Sequence, residues 1–194
     1  MNRLIIFLVS IMLTNSVLSQ NEISNITLDD LYRKNIFTPQ WIDQLTSMRD
    51  GIHYAAIKDG KSVVRYSYAT GKQVDVIADV AQFGDAKIQN INNLKFDNSE
   101  TKILFYIDRQ NIYRRSFTAN YYVWDINAKK LIPISDERRQ QVAAFSPDGS
   151  KVAYVSGNNL YIKNLSDNTE LQITADGKTN HIINGIPDWV YEEE

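Results

Sequence analysis

The chain has 194 residues, 43% hydrophobic and 23% charged, an ordinary balance for a globular protein of one domain or two small ones. A formal net charge of -2 supplies no basic field, so nucleic acid is excluded as an expected partner. There is no cysteine, which excludes a disulfide framework, thiolate metal sites, a cysteine nucleophile and a lipidated N-terminal cysteine.

The first nineteen residues read as a signal peptide. Arg3 is the positive n-region, and Leu4 to Leu13 is an apolar h-region broken only by Ser10. Val17-Leu18-Ser19 offers a cleavage site, with cutting expected before Gln20. The h-region is short for a bilayer span, so a retained anchor is the secondary reading and no stable membrane insertion is expected after cleavage. Export without cysteine suits a bacterial periplasm or the extracellular medium.

Residues 20–40 read as a polar linker with one short helix. Thr27-Leu28-Asp29-Asp30 fits a capping pattern, a hydroxyl followed three residues later by an acid. Leu28, Leu31 and Tyr32 fall at helical spacing, and the helix should close before Pro39.

From Trp41 the period changes to two, and 41–194 reads as all-β. Eleven tyrosines and three tryptophans, beside many Ile, Val and Thr, favour strands. Strands are expected at 52–57, 62–68 and 73–78, with Asp59-Gly60 as a tight turn. Further strands are expected at 94–96, 103–107, 121–126, 131–134, 142–145, 152–155, 159–165 and 171–174. Two stretches align. Phe96 matches Phe145, and Ile103-Leu104-Phe105 matches Val152-Ala153-Tyr154, at an offset of 49 residues (145 minus 96). That offset lies near the propeller-blade period of about 40 to 50.

A four-stranded unit cannot bury both faces alone, so such units stack in rings. About three units are countable from the period, fewer than the roughly 4 to 8 that close a ring. The expectation is therefore a partial β-propeller with an open blade edge, belonging to a longer parent. The turn Phe145-Ser146-Pro147-Asp148-Gly149 supports blades. Pro147 sets the backbone, Asp148 bonds nearby amides and Gly149 takes positive φ.

Candidate chemistry is confined to two stretches. Glu192, Glu193 and Glu194 follow the apolar and aromatic run Ile186-Pro187-Asp188-Trp189-Val190-Tyr191. Read alone, a terminal acidic run is a solvated tail. Behind a packed element, crowded carboxylates repel unless a cation is expected, and a substrate ammonium would be one. The second stretch is Tyr113-Arg114-Arg115-Ser116-Phe117-Thr118-Ala119-Asn120-Tyr121, expected as a strand and its turn, with Arg114 and Arg115 on opposite faces. An arginine here could simply cover strands with its stem, but guanidinium also offers planar, forked donors.

His53 and His181 lie in no carboxylate cluster, so no metal role is expected. No Gly-x-Ser-x-Gly elbow and no phosphate-binding glycine loop occur, and Asp136-Glu137-Arg138-Arg139 reads as a solvated charged turn.

The run Asp188-Trp189-Val190-Tyr191-Glu192-Glu193-Glu194 closely resembles the glutamate motif of the dipeptidyl peptidase IV family of serine peptidases and its bacterial members. The aromatic-Arg-x-Ser-aromatic-Thr-Ala stretch from Tyr113 is similar to the same family's arginine segment. The resemblance implies substrate-binding roles for three residues. Glu193 and Glu194 would grip the free amino terminus of a peptide, with Glu192 taking part if the register slips by one. Arg114 would contact the substrate's backbone carbonyl and help hold the glutamates. The resemblance further implies an eight-bladed propeller followed by an α/β-hydrolase domain with a Ser-Asp-His triad. Such an enzyme releases dipeptides with proline or alanine second, needs no cofactor, and often works as a homodimer. No triad residue is expected within the chain, so no catalytic residue is assigned; its partners would be peptides with a free N-terminus and its own C-terminal hydrolase domain. The alternatives are a non-catalytic periplasmic interaction propeller, which would need neither Arg114 nor the glutamate pair, and a relative whose downstream nucleophile is lost.

Overall fold

The structure is a computed structural model and describes residues 25–39, 42, 44–85 and 87–193. The expected signal peptide and Glu194 lie outside the described residues. The chain divides into two compact units, Met1–Trp41 and Ile42–Glu194.

In the first unit, helix α1 spans Leu28–Tyr32. Thr27 and Asp30 form the expected capping box: the Thr27 hydroxyl accepts from the Asp30 amide at 3.2 Å, and the Asp30 carboxylate accepts from the Thr27 amide at 2.9 Å.

The second unit consists of three four-stranded antiparallel sheets, the blades of a partial β-propeller. Blade 1 is β1 (Thr46–Ser47), β2 (His53–Lys58), β3 (Ser62–Ser67) and β4 (Gln73–Asp79). Blade 2 is β5 (Asn92–Phe96), β6 (Lys102–Asn111), β7 (Phe117–Asp125) and β8 (Lys130–Pro133). Blade 3 is β9 (Gln141–Phe145), β10 (Lys151–Ser156), β11 (Asn159–Asn164) and β12 (Glu170–Gln172). Strands follow chain order within each sheet. Asp59 and Gly60 both adopt positive φ between β2 and β3, as a primed hairpin turn requires.

Blade 2 shows why the units must stack. Successive side chains of a strand face opposite sides of the sheet. From β6, Ile103, Phe105 and Ile107 join a core shared with Ala55, Ile57 and Val63 of blade 1. The intervening Leu104 and Tyr106 join a second core with Val152, Tyr154 and Tyr161 of blade 3. β7 divides the same way, sending Trp124 to the first core and Tyr121 and Val123 to the second. Each such large apolar side chain contributes about 1.5–3 kcal/mol on burial, so a blade gains stability only with a neighbour on each face. On the other face of blade 1, Tyr54 stacks on Tyr66 with ring centroids 5.2 Å apart, and Val76 remains exposed.

The charged turn at 136–139 departs from its expected solvated character. Arg138 pairs with Glu170 at 2.7 Å and lies over the Tyr161 ring at 4.6 Å. Arg139 donates to the Thr118 hydroxyl at 3.1 Å and to the Asp108 carbonyl. The adjoining Gln140 is fully buried, and its side-chain oxygen accepts from the Tyr121 amide at 2.7 Å. Stacking and forked donors let guanidinium sit at a blade junction without losing its polar partners.

Candidate functional site

The site begins with an arm. β6 and β7 run ten and nine residues, whereas the equivalent β10 and β11 run six each. The extra length carries the β6–β7 hairpin past the body of its blade. Along it, Arg109 lies over the Phe117 ring at 4.3 Å, and Asn120 donates to the Asp108 carboxylate at 3.1 Å. Arg139 buttresses the arm through Asp108 and Thr118. At the tip, residues 112–115 form a bend, closed by the Ile112 amide donating to the Ser116 carbonyl at 2.9 Å. Arg114 and Arg115 therefore lie in the bend, and the strand alternation expected of them does not apply.

The second component arrives from the far end of the chain. After β12, the segment crosses the β10–β11 hairpin, where the Asn184 amide donates to the Asn158 carbonyl at 3.1 Å. Gly185 permits a close crossing: a Cβ there would stand 2.7 Å from the Val155 Cγ2. Asp188 then starts helix α2 (Trp189–Glu193), its carboxylate accepting from the Val190 amide at 3.0 Å. Trp189 meets Tyr113 edge to face at 6.3 Å, setting the helix against the arm's tip.

This contact brings Glu193 onto the bend. Glu193 is only 6% exposed and Ser116 4%. A buried carboxylate needs hydrogen-bond donors, and the bend supplies them. The Arg115 amide donates to Oε2 at 2.9 Å and to Oε1 at 3.2 Å. The Ser116 amide and hydroxyl donate to Oε1 at 2.8 and 2.7 Å. Arg114 Nη2 donates to the main-chain carbonyl of Glu193 at 2.7 Å. Burial opposes the charge, but the Ser116 hydroxyl, the Ser116 and Arg115 amides and the Arg114 charge outweigh it and hold the Glu193 carboxyl below its ordinary range. Burial, and then the charge of Glu193, push the neighbouring Glu192 carboxyl up.

Tyr113, Arg114, Trp189 and Glu193 line a groove of about 350 Å³. A guanidinium and an ionised carboxylate thus share one depression with two aromatic walls. It can take a ligand carrying an ammonium beside a carbonyl. A larger cavity of about 600 Å³, lined by Lys61, Val80 and Asp85 among others, brings together none of the expected residues. Among the described residues no group of His, Cys, Asp or Glu is arranged to hold a metal ion. His53 instead pairs with Asp50, Nδ1 to carboxylate, at 2.6 Å.

The structure therefore brings Arg114 and Glu193 together across 79 residues of sequence, while Glu194 lies outside the described residues. Sequence reasoning assigned no role to Ser116, to the Arg115 amide or to Arg139. Ser116 stands inside the stretch that drew attention, but its partner lies 77 residues away, and only the fold supplies that proximity.

Blades of four antiparallel strands, with an acid and a guanidinium on one groove at the tip of a long hairpin, define a partial β-propeller. Residues 97–194 match the family described as the dipeptidyl peptidase IV (DPP IV) N-terminal region, and the chain belongs to that family. It is 31% identical to the human prolyl endopeptidase FAP over 182 residues, covering 90% of this chain and 22% of that protein. It is 42% identical to a probable dipeptidyl-aminopeptidase B of Aspergillus niger over 96 residues, covering 48% of this chain and 10% of that one. The crystal structure of Porphyromonas gingivalis dipeptidyl peptidase 4 superposes with a TM-score of 0.75 at 34% identity, covering 87% of this chain and 24% of that chain. The chain thus spans about a fifth of the length of the human relative.

Proposed function

We propose that this chain is the N-terminal substrate-recognition part of a secreted serine-type dipeptidyl peptidase. The parent enzyme removes Xaa-Pro or Xaa-Ala dipeptides from peptide amino termini. Bond cleavage belongs to an α/β-hydrolase domain encoded after Glu194. Glu193 and Glu194 receive the substrate ammonium, and Arg114 its backbone carbonyl. One observation carries the reading: the tip of the β6–β7 arm and the end of α2 place a guanidinium and an ionised carboxylate on one groove. Such a pair favours substrates with a free amino end, because an acylated end leaves the acids without their cation. Anchoring that end at a fixed distance from a nucleophile then selects the bond to be cut. The names dipeptidyl-aminopeptidase and dipeptidyl peptidase among the relatives fit this chemistry, and the name prolyl endopeptidase fits its preference for proline alone.

The test is to sequence the source DNA past the Glu194 codon and assay the expressed gene product. An open frame reaching a Gly-x-Ser-x-Gly motif followed by Asp and His, with release of dipeptides from free but not acetylated peptides, supports the reading. A stop codon at that point, or a frame that closes the propeller without a hydrolase domain, overturns it in favour of a binding protein.

A further inference from the structure

The two oxygens of the Glu193 carboxylate are not equivalent. Oε1 accepts three bonds, from the Ser116 hydroxyl, the Ser116 amide and, more distantly, the Arg115 amide. Oε2 accepts one, from the Arg115 amide. An ionised carboxylate has about two acceptor sites on each oxygen. Oε1 is therefore saturated and Oε2 retains capacity. Resting on the reading above, we propose that Ser116 is a positioning residue of the ammonium site: its hydroxyl fixes Oε1 of Glu193, so that Oε2 is the oxygen that receives the substrate's amino terminus.

Three features support this assignment. The Ser116 hydroxyl has a fixed direction of donation, because a carboxylate can only accept. Ser116 is almost wholly buried, so water does not compete for that bond. The bond spans the junction between a hairpin tip and a five-residue helix, where it is the one side-chain donor among the bonds to the Glu193 carboxylate. Without the hydroxyl, the amides of residues 115 and 116 still attract the carboxylate, but Oε1 loses one of its two closest donors. The carboxylate can then turn about its terminal bond, and the ammonium meets a less ordered acceptor.

The experiment uses the full-length gene product with Ser116→Ala, Ser116→Thr and Glu193→Gln. For each, kcat and KM are measured on a peptide with a free amino terminus. Inhibition by the product dipeptide and by its N-acetyl form is measured alongside Tm. Losing a hydrogen bond to a charged group corresponds to about a ten- to hundredfold effect. Ser116→Ala should lower kcat/KM by about that factor, mainly through KM. It should also narrow the discrimination between free and acetylated dipeptide, and Ser116→Thr, which keeps the hydroxyl, should restore both. A Ser116→Ala variant that loses kcat and Tm with its discrimination intact has a merely structural serine, and the inference falls. If Glu193→Gln loses activity and Ser116→Ala does not, the positioning role alone is overturned. If neither substitution matters, or the wild type does not cleave, the underlying reading of the site falls and this inference with it.

Discussion

The guanidinium of Arg114 bonds the main-chain carbonyl of Glu193, at 2.7 Å, while the Glu193 carboxylate turns to the amides of residues 115 and 116. The last carbonyls of a helix lack intrahelical partners, and a cation there also meets the negative end of the helix dipole. Arg114 thus closes α2 without neutralising the acid on it. Two opposite charges share a groove, and each keeps donors or lone pairs that the other does not use.

This division of labour sets the expected effect of removing Arg114. On the proposed function, Arg114→Ala in the full-length gene product should lower kcat/KM by about ten- to hundredfold, the range for a hydrogen bond to a charged group. The loss should show in both KM and kcat, because the residue supports the helix end and, on that proposal, the substrate carbonyl as well. Arg114→Lys should recover only part, since an ammonium lacks the planar fork. An unchanged kcat/KM in steady-state assays of Arg114→Ala would remove the residue from the site.

A larger effect is expected at the acids. On the proposed function, Glu193→Ala or Glu194→Ala should reduce turnover of peptides with a free amino terminus by about a hundredfold or more, because the substrate ammonium would lose its counter-charge. Acetylated peptides, which that proposal makes poor substrates, should change little. Parallel kinetics on free and acetylated forms of one peptide test this. Equal turnover by the wild type and both variants would refute the assignment.

The blade repeat was legible because its turns carry their own chemistry. β5 and β9 begin at Asn92 and Gln141, and β6 and β10 at Lys102 and Lys151, so both pairs keep the 49-residue offset of Phe96 and Phe145 (145 minus 96). The arm was less legible. Its added residues Asp108, Arg109, Gln110 and Asn111 are polar and show no alternation, because they pair outside the core. Arg138 and Arg139 misled for a related reason: a charge run reads as solvated unless the ring and carbonyls that receive it are known. The glutamates were found by resemblance, but the bond from Ser116 to Glu193 depends on a path through blade 3 that no local pattern encodes.

One repeat position has a measurable consequence for stability. Gly149 sits at φ +67, and a Cβ there would lie 2.7 Å from Oδ2 of Asp97, the buried carboxylate of the equivalent turn in blade 2. Gly71 has a similar φ, +64, with nothing within 4 Å. Gly71→Ala should therefore cost only the conformational strain, about 1 kcal/mol. Gly149→Ala adds a collision at a blade junction and should cost about 2–3 kcal/mol in total. Thermal denaturation of the full-length protein should rank the two variants in that order. A Tm for Gly149→Ala equal to that of Gly71→Ala would mean that the turns move apart freely.

The same turn predicts a pH dependence. The Ser146 hydroxyl, followed by the amide and hydroxyl of Ser150, holds the Asp148 carboxyl at about 2. An unfolded aspartate titrates at about 3.9. The folded value is the lower one, so the unfolded chain binds the proton first on acidification. The contribution of Asp148 is therefore fully present above pH of about 4 and is lost as pH falls from there towards 2. Asp148→Asn, which cannot ionise, should lower Tm at pH 6, and the gap to wild type should close by a pH of about 2. Asp50, held at about 2 chiefly by His53, acts in the same window in both proteins and cancels from the comparison. Melting curves of the two proteins at several pH values decide it: a gap that stays constant down to pH of about 2 would show that Asp148 supports the turn by shape alone, without its charge.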